Sequence, residues 1–248
     1  TSIYPPQAEL FLSYHLLSIL CQSKERKNFK MAISIVLVDD HKVLRHGLSQ
    51  ALKGEADMEI IGQAENGYEA IKLAQELVPD VIIMDIAMPE LNGIEAARQI
   101  LKAYPQIKII SLSMHSNKKF IHEMFKAGAS GYLLKDCEYS ELIHAIRVVM
   151  QNKTYISPSI TGVVIENYMM QGADDKKNAF AVLSDREREV LQLIAEGKTT
   201  KQIARMLHVS PKTVEGHRTR IMHKLDIDSI ANLTKYAIRE GLTSAEYP

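Results

Sequence analysis

The sequence predicts an α/β domain on a doubly wound, five-stranded parallel sheet, followed by an all-α domain of four helices. Three observations carry that prediction. From Ile33 to Met150 short apolar runs alternate with amphipathic helical windows, the signature of repeated strand–helix units. The runs ISIVLV and DVIIM are apolar on both alternations, as strands covered by helices on both faces must be. After Leu183 the signals become helical only.

In order, the strands are expected in ISIVLV, MEIIGQA, DVIIMD, IKIISLS and GYLLK. The helices are expected in VLRHGLSQAL, YEAIKLAQEL, IEAARQILKAY, FIHEMFKAG and ELIHAIRVVM. Right-handed crossovers place the C-terminal ends of all parallel strands on one edge of the sheet, where such folds bind ligands. The first strand ends at Asp39 and Asp40, the third at Asp85, the fourth at Ser113 and the fifth at Lys135.

The pattern decays between Gln151 and Val182, through Ser157-Pro158 and the polar GADDKKN, which reads as a linker holding one short helix around Ile160 to Met169. Beyond it, Ser184-x-x-Glu187 and Thr199-x-x-Gln202 are capping-box patterns, Gly197 ends the first helix, and Ser210-Pro211 supplies an N-cap and an N1 proline. A fourth helix follows Asp228-Ser229 and stops near Gly241. The expected organisation is an α/β domain over 31–151, a linker over 152–180 and a helical domain over 181–248.

Residues 1–30 are expected to be an extension outside either domain, because Met31 stands just before the first strand. Within it, Leu10 to Cys21 is too short and too polar for a spanning helix, and its basic run KERKNFK follows the apolar stretch instead of preceding it. No membrane partner is expected. The 248 residues carry 30 basic and 30 acidic side chains, so whole-chain charge argues neither for nor against an anionic partner. The two cysteines, Cys21 and Cys137, have no partners at metal-ligand spacing, which excludes a disulfide framework or zinc site and makes a reducing cytoplasm the expected location.

Adjacent carboxylates disfavour each other's ionised form unless a cation lies between them. Three carboxylates at two strand ends suit a hard divalent ion with oxygen ligands, and Mg²⁺ is expected. Such an ion would hold Asp85 beside an incoming phosphoryl group, with a Ser113 hydroxyl and the Lys135 ammonium on its oxygens. Those parts suit phosphoryl transfer onto an aspartate. A pair of acids at a strand end is ordinary taken alone; the whole set at successive strand ends, with the turn MDIAMPELNG after Asp85, is not.

Across Ile33 to Gln151 the chain closely resembles a bacterial response-regulator receiver domain, which implies a flavodoxin-like fold. The resemblance implies that Asp85 is the phosphoacceptor, forming 4-aspartylphosphate, and that Asp39, Asp40, Asp85 and the Ala87 backbone carbonyl bind Mg²⁺. It makes Ser113 and Tyr132 the switch residues and Lys135 the phosphate-binding lysine. In that reading Ser113 moves toward the phosphoryl group and the Tyr132 ring fills the space it leaves. Tyr132 without the resemblance is an ordinary packing residue. Asp136 stands where many receivers carry a proline in a cis peptide, and a cis bond before aspartate would be costly.

Lys198, Lys201, Arg205, Lys212, Arg218, Arg220 and Lys224 stand against the lone acid Glu215, on two helices joined by His208-Val209-Ser210. Ile203, Ala204 and Leu207 packed on Val214, Ile221 and Leu225 would leave the basic side chains outside, which is helix-turn-helix logic. The segment LSDREREVLQLIAEGKTTKQIARMLHVSPKTVEGHRTRIMHKL resembles the LuxR-type DNA-binding domain, and the chain from Met31 resembles a NarL/FixJ-subfamily response regulator. That implies a supporting helix over Thr200 to Leu207 and a recognition helix over Ser210 to Leu225 in the major groove of double-stranded DNA. Glu215, Gly216 and Thr219 would meet bases; Lys201, Thr213, His217, Arg218, Arg220 and Lys224 would meet phosphates. Ile230, Leu233 and Ala237 line one face of the last helix, which in this family forms a homodimer on DNA.

The function expected is a transcription regulator phosphorylated on Asp85 by a sensor histidine kinase, not a turnover enzyme. An aspartyl-phosphate phosphohydrolase would also use Mg²⁺ and an aspartate nucleophile, but it needs a second acid close behind, where this chain has Ala87. A DNA binder whose α/β domain serves only for protein docking would leave the acid, serine and lysine set without a purpose.

Overall fold

The computed structural model describes residues 32–114, 116–169 and 179–243. The expected extension over 1–30 and the GADDKKN stretch, Gly172 to Asn178, lie outside them. The α/β domain comprises β1 (Ile33–Val38), α1 (Lys42–Leu52), β2 (Met58–Ala64), α2 (Gly67–Leu77), β3 (Val81–Met84), α3 (Gly93–Ala103), β4 (Lys108–Ser113), α4 (Lys118–Lys126), β5 (Gly131–Leu134) and α5 (Tyr139–Met150). All strand pairs are parallel, in the order β2-β1-β3-β4-β5-β6.

Among the described residues the sheet therefore has six strands, not five. The added strand, β6 (Tyr155–Ile156), and α6 (Pro158–Met169) arise in the segment read as linker. Two residues are too few for a legible alternation, and β6 exists because the edge of β5 offers it partners: Gly131 opposite Tyr155 and Tyr132 opposite Ile156.

Alternate side chains of each strand enter different layers, as the two-residue period requires. Val36, Val38, Ile82 and Met84 join the layer under α2, α3 and α4, while Ile35, Leu37, Val81 and Ile83 join the layer under α5. Asn66 and Asn92 cap α2 and α3 by accepting the amides of Glu69 and Glu95.

The C-terminal domain has a one-turn α7 (Ala179–Val182), then α8 (Asp185–Ala195), α9 (Thr200–Met206), α10 (Pro211–Leu225) and α11 (Ile230–Glu240). Both capping boxes form, at Ser184/Glu187 and Thr199/Gln202, and Ser210 caps α10 ahead of Pro211. Ile203, Ala204, Leu207, Val214 and Ile221 are buried together, as the helix-turn-helix packing requires.

The two domains are docked through α8. Arg188, 2% exposed, reaches the fully buried Glu95 of α3 through Nε (2.6 Å) and Nη2 (3.1 Å). Gln99 donates to Glu189 at 2.8 Å. Lys119 of α4 pairs with Glu240 at the end of α11. Gly241, at φ +74°, lies so close to the Phe120 ring that a Cβ there would stand 1.9 Å from Cε1; only glycine allows this approach. No helix among the described residues is long and apolar enough to cross a membrane.

Candidate phosphoacceptor site and nucleic-acid interface

Asp39 and Asp85 each stand one residue beyond a strand and are almost fully buried, at 4% and 3% exposure. Burial follows from position: both strands lie in the middle of the sheet, with helices over the faces. Asp39, Asp40, His41 and Asp85 bring one ligand atom each within 4.8 Å of one another. Lys135 Nζ bridges Asp39 (2.6 Å) and Asp85 (2.7 Å). Its pairing with the two acids outweighs its own desolvation and raises its pKa.

Desolvation pushes the Asp85 carboxyl up to about 6; Lys135 opposes that rise and Asp39 adds to it. Burial also raises Asp40, with His41 opposing. Asp40 Oδ1 is buried and accepts no hydrogen bond, although His41 Nδ1 stands 3.0 Å away. Three oxygen donors, two of them acids held protonated more readily than usual, and one unsatisfied carboxylate oxygen fit a small divalent cation.

Ser113 and Tyr132 are fully buried and hydrogen-bonded to each other, and burial drives the tyrosine pKa upward. The ring is thus already inside, next to the hydroxyl that the switch reading requires it to follow. No cis peptide occurs among the described residues, in keeping with Asp136 after the lysine. Ala87 lies in the loop after Asp85, which is anchored by Gly93: its amide donates to the Ile86 carbonyl, and a Cβ on it would stand 1.9 Å from the Asp85 carbonyl oxygen.

On α10, Lys212, Thr213, Glu215, Thr219 and Arg220 are exposed and Gly216, His217 and Arg218 are partly exposed; Lys201 of α9 is exposed as well. Thr219, whose hydroxyl donates to the Glu215 carbonyl at 3.0 Å, and three other residues of α10 already have work inside the domain. Lys224 pairs with Glu187 of α8 at 2.7 Å, the Thr213 hydroxyl joins Ser210 in the N-cap, and Arg220 Nε returns to the Gly216 carbonyl. Burial lowers the His217 pKa, with Arg220 and Arg186 adding to the effect, so the ring is a poor cation.

The last helix differs from expectation. Leu233 and Ala237 are fully buried, with α11 packing on α8, and present no surface in this conformation. Of the three residues expected there only Ile230, 44% exposed, is available, and it continues along Thr234 to Ile238, 38% exposed. A four-residue step keeps that stripe on one helix face.

Several residues of the site carry no local sequence signal. His41 joins the acids only by following them; Arg45, buried on α1, holds the Asp39 carbonyl and Glu65. Gln192 of α8 and Glu196, which caps its C-terminal end, bond to the loop after Asp85, 104 positions from Met88 to Gln192 and 106 from Glu90 to Glu196.

Residues 35–147 match the response regulator receiver domain, and residues 181–237 match the bacterial regulatory proteins of the luxR family. The oxygen regulatory protein NreC of Staphylococcus carnosus is 39% identical over 85% of this chain and 99% of its own. The transcriptional regulatory protein DegU of Brevibacillus brevis is 35% identical over 84% of this chain and 94% of its own. The structure of RcsB from Salmonella enterica serovar Typhimurium, bound to a promoter in the presence of a phosphomimetic, superposes with a TM-score of 0.53 at 26% identity, covering 85% of this chain and 99% of that one. With an acidic pocket at the strand ends and a basic helix-turn-helix behind it, the chain belongs to the two-component response regulators of the NarL/FixJ subfamily, a family of transcriptional regulators and not of turnover enzymes.

Proposed function

We propose that this protein accepts a phosphoryl group on Asp85 from a sensor histidine kinase, with Mg²⁺ bound, and thereby controls the binding of its C-terminal domain to promoter DNA. The observation that carries this reading is the convergence of Asp39, Asp40 and Asp85 within 4.8 Å with Lys135 bridging two of them. Asp39, Asp40, Asp85 and the Ala87 carbonyl would hold the ion. When bound, Mg²⁺ offsets the charge on the acids and on the phosphoryl oxygens.

Asp85 supplies the nucleophilic oxygen: a P–O bond forms as the P–N bond of phosphohistidine breaks, and the imidazole leaves with the electron pair. Lys135 holds one phosphoryl oxygen and Ser113 donates to another. Moving Ser113 breaks its bond to Tyr132, which links the site to the β5 edge. The altered receiver then releases or pairs the C-terminal domain.

On DNA, Lys201, Arg218 and Arg220 would meet phosphates, and Glu215, Gly216 and Thr219 would meet base edges, with Glu215 suited to a cytosine amino group. Dimerisation is assigned to the exposed stripe Ile230, Thr234 and Ile238. The test is labelling with a phosphoryl donor: it is expected to be stoichiometric, Mg²⁺-dependent and lost in Asp85→Asn, with DNA occupancy changing in parallel. Efficient metal-free labelling, or normal regulation by Asp85→Asn, would refute it.

A further inference from the structure

The loop from Ile86 to Asn92 joins the phosphoacceptor strand to α3. Within its own domain it is tied by Gly93 N–H to the Ile86 carbonyl, by Leu91 N–H to the Pro89 carbonyl and by Gly67 N–H of α2 to the Leu91 carbonyl. Three more of its backbone groups are satisfied by the other domain. The Met88 carbonyl accepts from Gln192 Nε2 at 3.0 Å, the Asn92 amide donates to Gln192 Oε1 at 3.1 Å, and the Glu90 amide lies 3.2 Å from both Glu196 carboxylate oxygens.

Gln192 is fully buried and has no hydrogen-bonding capacity to spare, since Oε1 also accepts from Asn92 Nδ2 (2.9 Å) and Nε2 also donates to Glu196 (2.9 Å). Glu90 is held at φ +68°, a left-handed conformation that side-chain-bearing residues avoid. Both Met88 and Glu90 stand within three positions of Ala87. Three backbone groups of this loop are therefore satisfied only by the other domain, and one of its residues is held in a disfavoured conformation.

We propose that Gln192 and Glu196 are positioning residues of the phosphoacceptor site: the docked α8 holds the acceptor loop in its metal-binding shape, so docking of the DNA-binding domain tightens Mg²⁺. This rests on the reading of Asp85 and its neighbours as the Mg²⁺ site. A ligand that requires one loop shape binds in proportion to the fraction of molecules holding it, and α8 raises that fraction. Linkage makes the effect reciprocal, so Mg²⁺ favours docking by the same factor.

The test is calorimetric titration of the full chain with MgCl₂ alone. Gln192→Leu and Glu196→Leu keep apolar bulk but remove the bonds to the loop. Each is expected to bind Mg²⁺ about three- to tenfold more weakly, the worth of one or two net hydrogen bonds. Glu196→Gln keeps an oxygen for the Glu90 amide and is expected to stay within about twofold of wild type. A purely structural role would move thermal unfolding and leave metal affinity alone.

Wild type offers a second measurement that needs no variant: small-angle scattering should report more docked molecules when MgCl₂ is added. Equal or tighter Mg²⁺ binding by the two leucine variants, or wild-type domains that loosen or do not respond, overturns the clasp and leaves the phosphoacceptor reading standing. A wild-type chain that binds no Mg²⁺ overturns both.

Discussion

Arg188→Met removes one half of the most deeply buried of the ion pairs that join the two domains, which also include Lys119 with Glu240 and Arg98 with Asp185. Glu95 is fully buried and receives Arg188 Nε at 2.6 Å and Nη2 at 3.1 Å, with Arg98 Nη1 at 3.2 Å as its remaining partner. Removing one member of a buried pair costs about 3–5 kcal/mol, because the other charge stays desolvated. Arg98 keeps the cost near the lower end, at about 3 kcal/mol. Undocking returns Glu95 to water, so the penalty falls on the docked state and not on either fold. About 3 kcal/mol shifts the docked-to-undocked ratio by roughly two decades.

Arg188 also donates to the Leu183 carbonyl and pairs with Asp185 inside its own domain, which adds a smaller loss to that domain's stability. Scattering should therefore report an extended particle, while calorimetry should resolve two transitions, the receiver's close to its wild-type temperature. The double variant Glu95→Leu, Arg188→Met leaves no stranded charge, and it should recover most of the docking. If the single variant stays as compact as wild type, or the double variant is as extended as the single, the pair does not hold the domains together.

Three further outcomes follow from the same geometry. Asp85 has its pKa raised to about 6, so below that pH a proton must leave before Mg²⁺ binds; apparent affinity should fall about fivefold from pH 6 to 5 and approach about tenfold per unit below that, and a flat titration would contradict it. Arg218→Ala should weaken binding to all DNA sequences and lower the slope of log affinity against log salt by about one unit, and an unchanged slope removes Arg218 from the phosphate contacts. Leu233→Ala should cost the C-terminal domain about 2–5 kcal/mol in denaturant unfolding, whereas Ile230→Asp with Ile238→Asp should leave that stability within about 1 kcal/mol and abolish dimeric DNA complexes.

Much of this protein is written in local patterns. Strand positions follow from runs such as ISIVLV because a strand buried on both faces has no polar positions to spare, and the reactive acids follow from where those runs stop. Caps at Ser184, Thr199 and Ser210 are equally local: each satisfies amides within three residues of itself. The expected dimer residues show the limit of such reading. A helical period finds that Leu233 and Ala237 share a face, but the same apolar face serves a core and a partner equally well, and only the packing of α11 on α8 assigns it to the core.

The two folds, the acid set at the strand ends and the basic helix pair are legible in the sequence, because each rests on periodicity or on neighbours a few residues apart. Tertiary structure alone decided that Lys135 bridges Asp39 and Asp85, that Tyr132 lies inside against Ser113, that β5 gains a sixth-strand partner, and that α8 grips the acceptor loop through Gln192 and Glu196. Those contacts join positions that no helical or strand period relates. A buried amide or carboxylate becomes meaningful only when the group that satisfies it is known, and that group is chosen by the docking of whole elements.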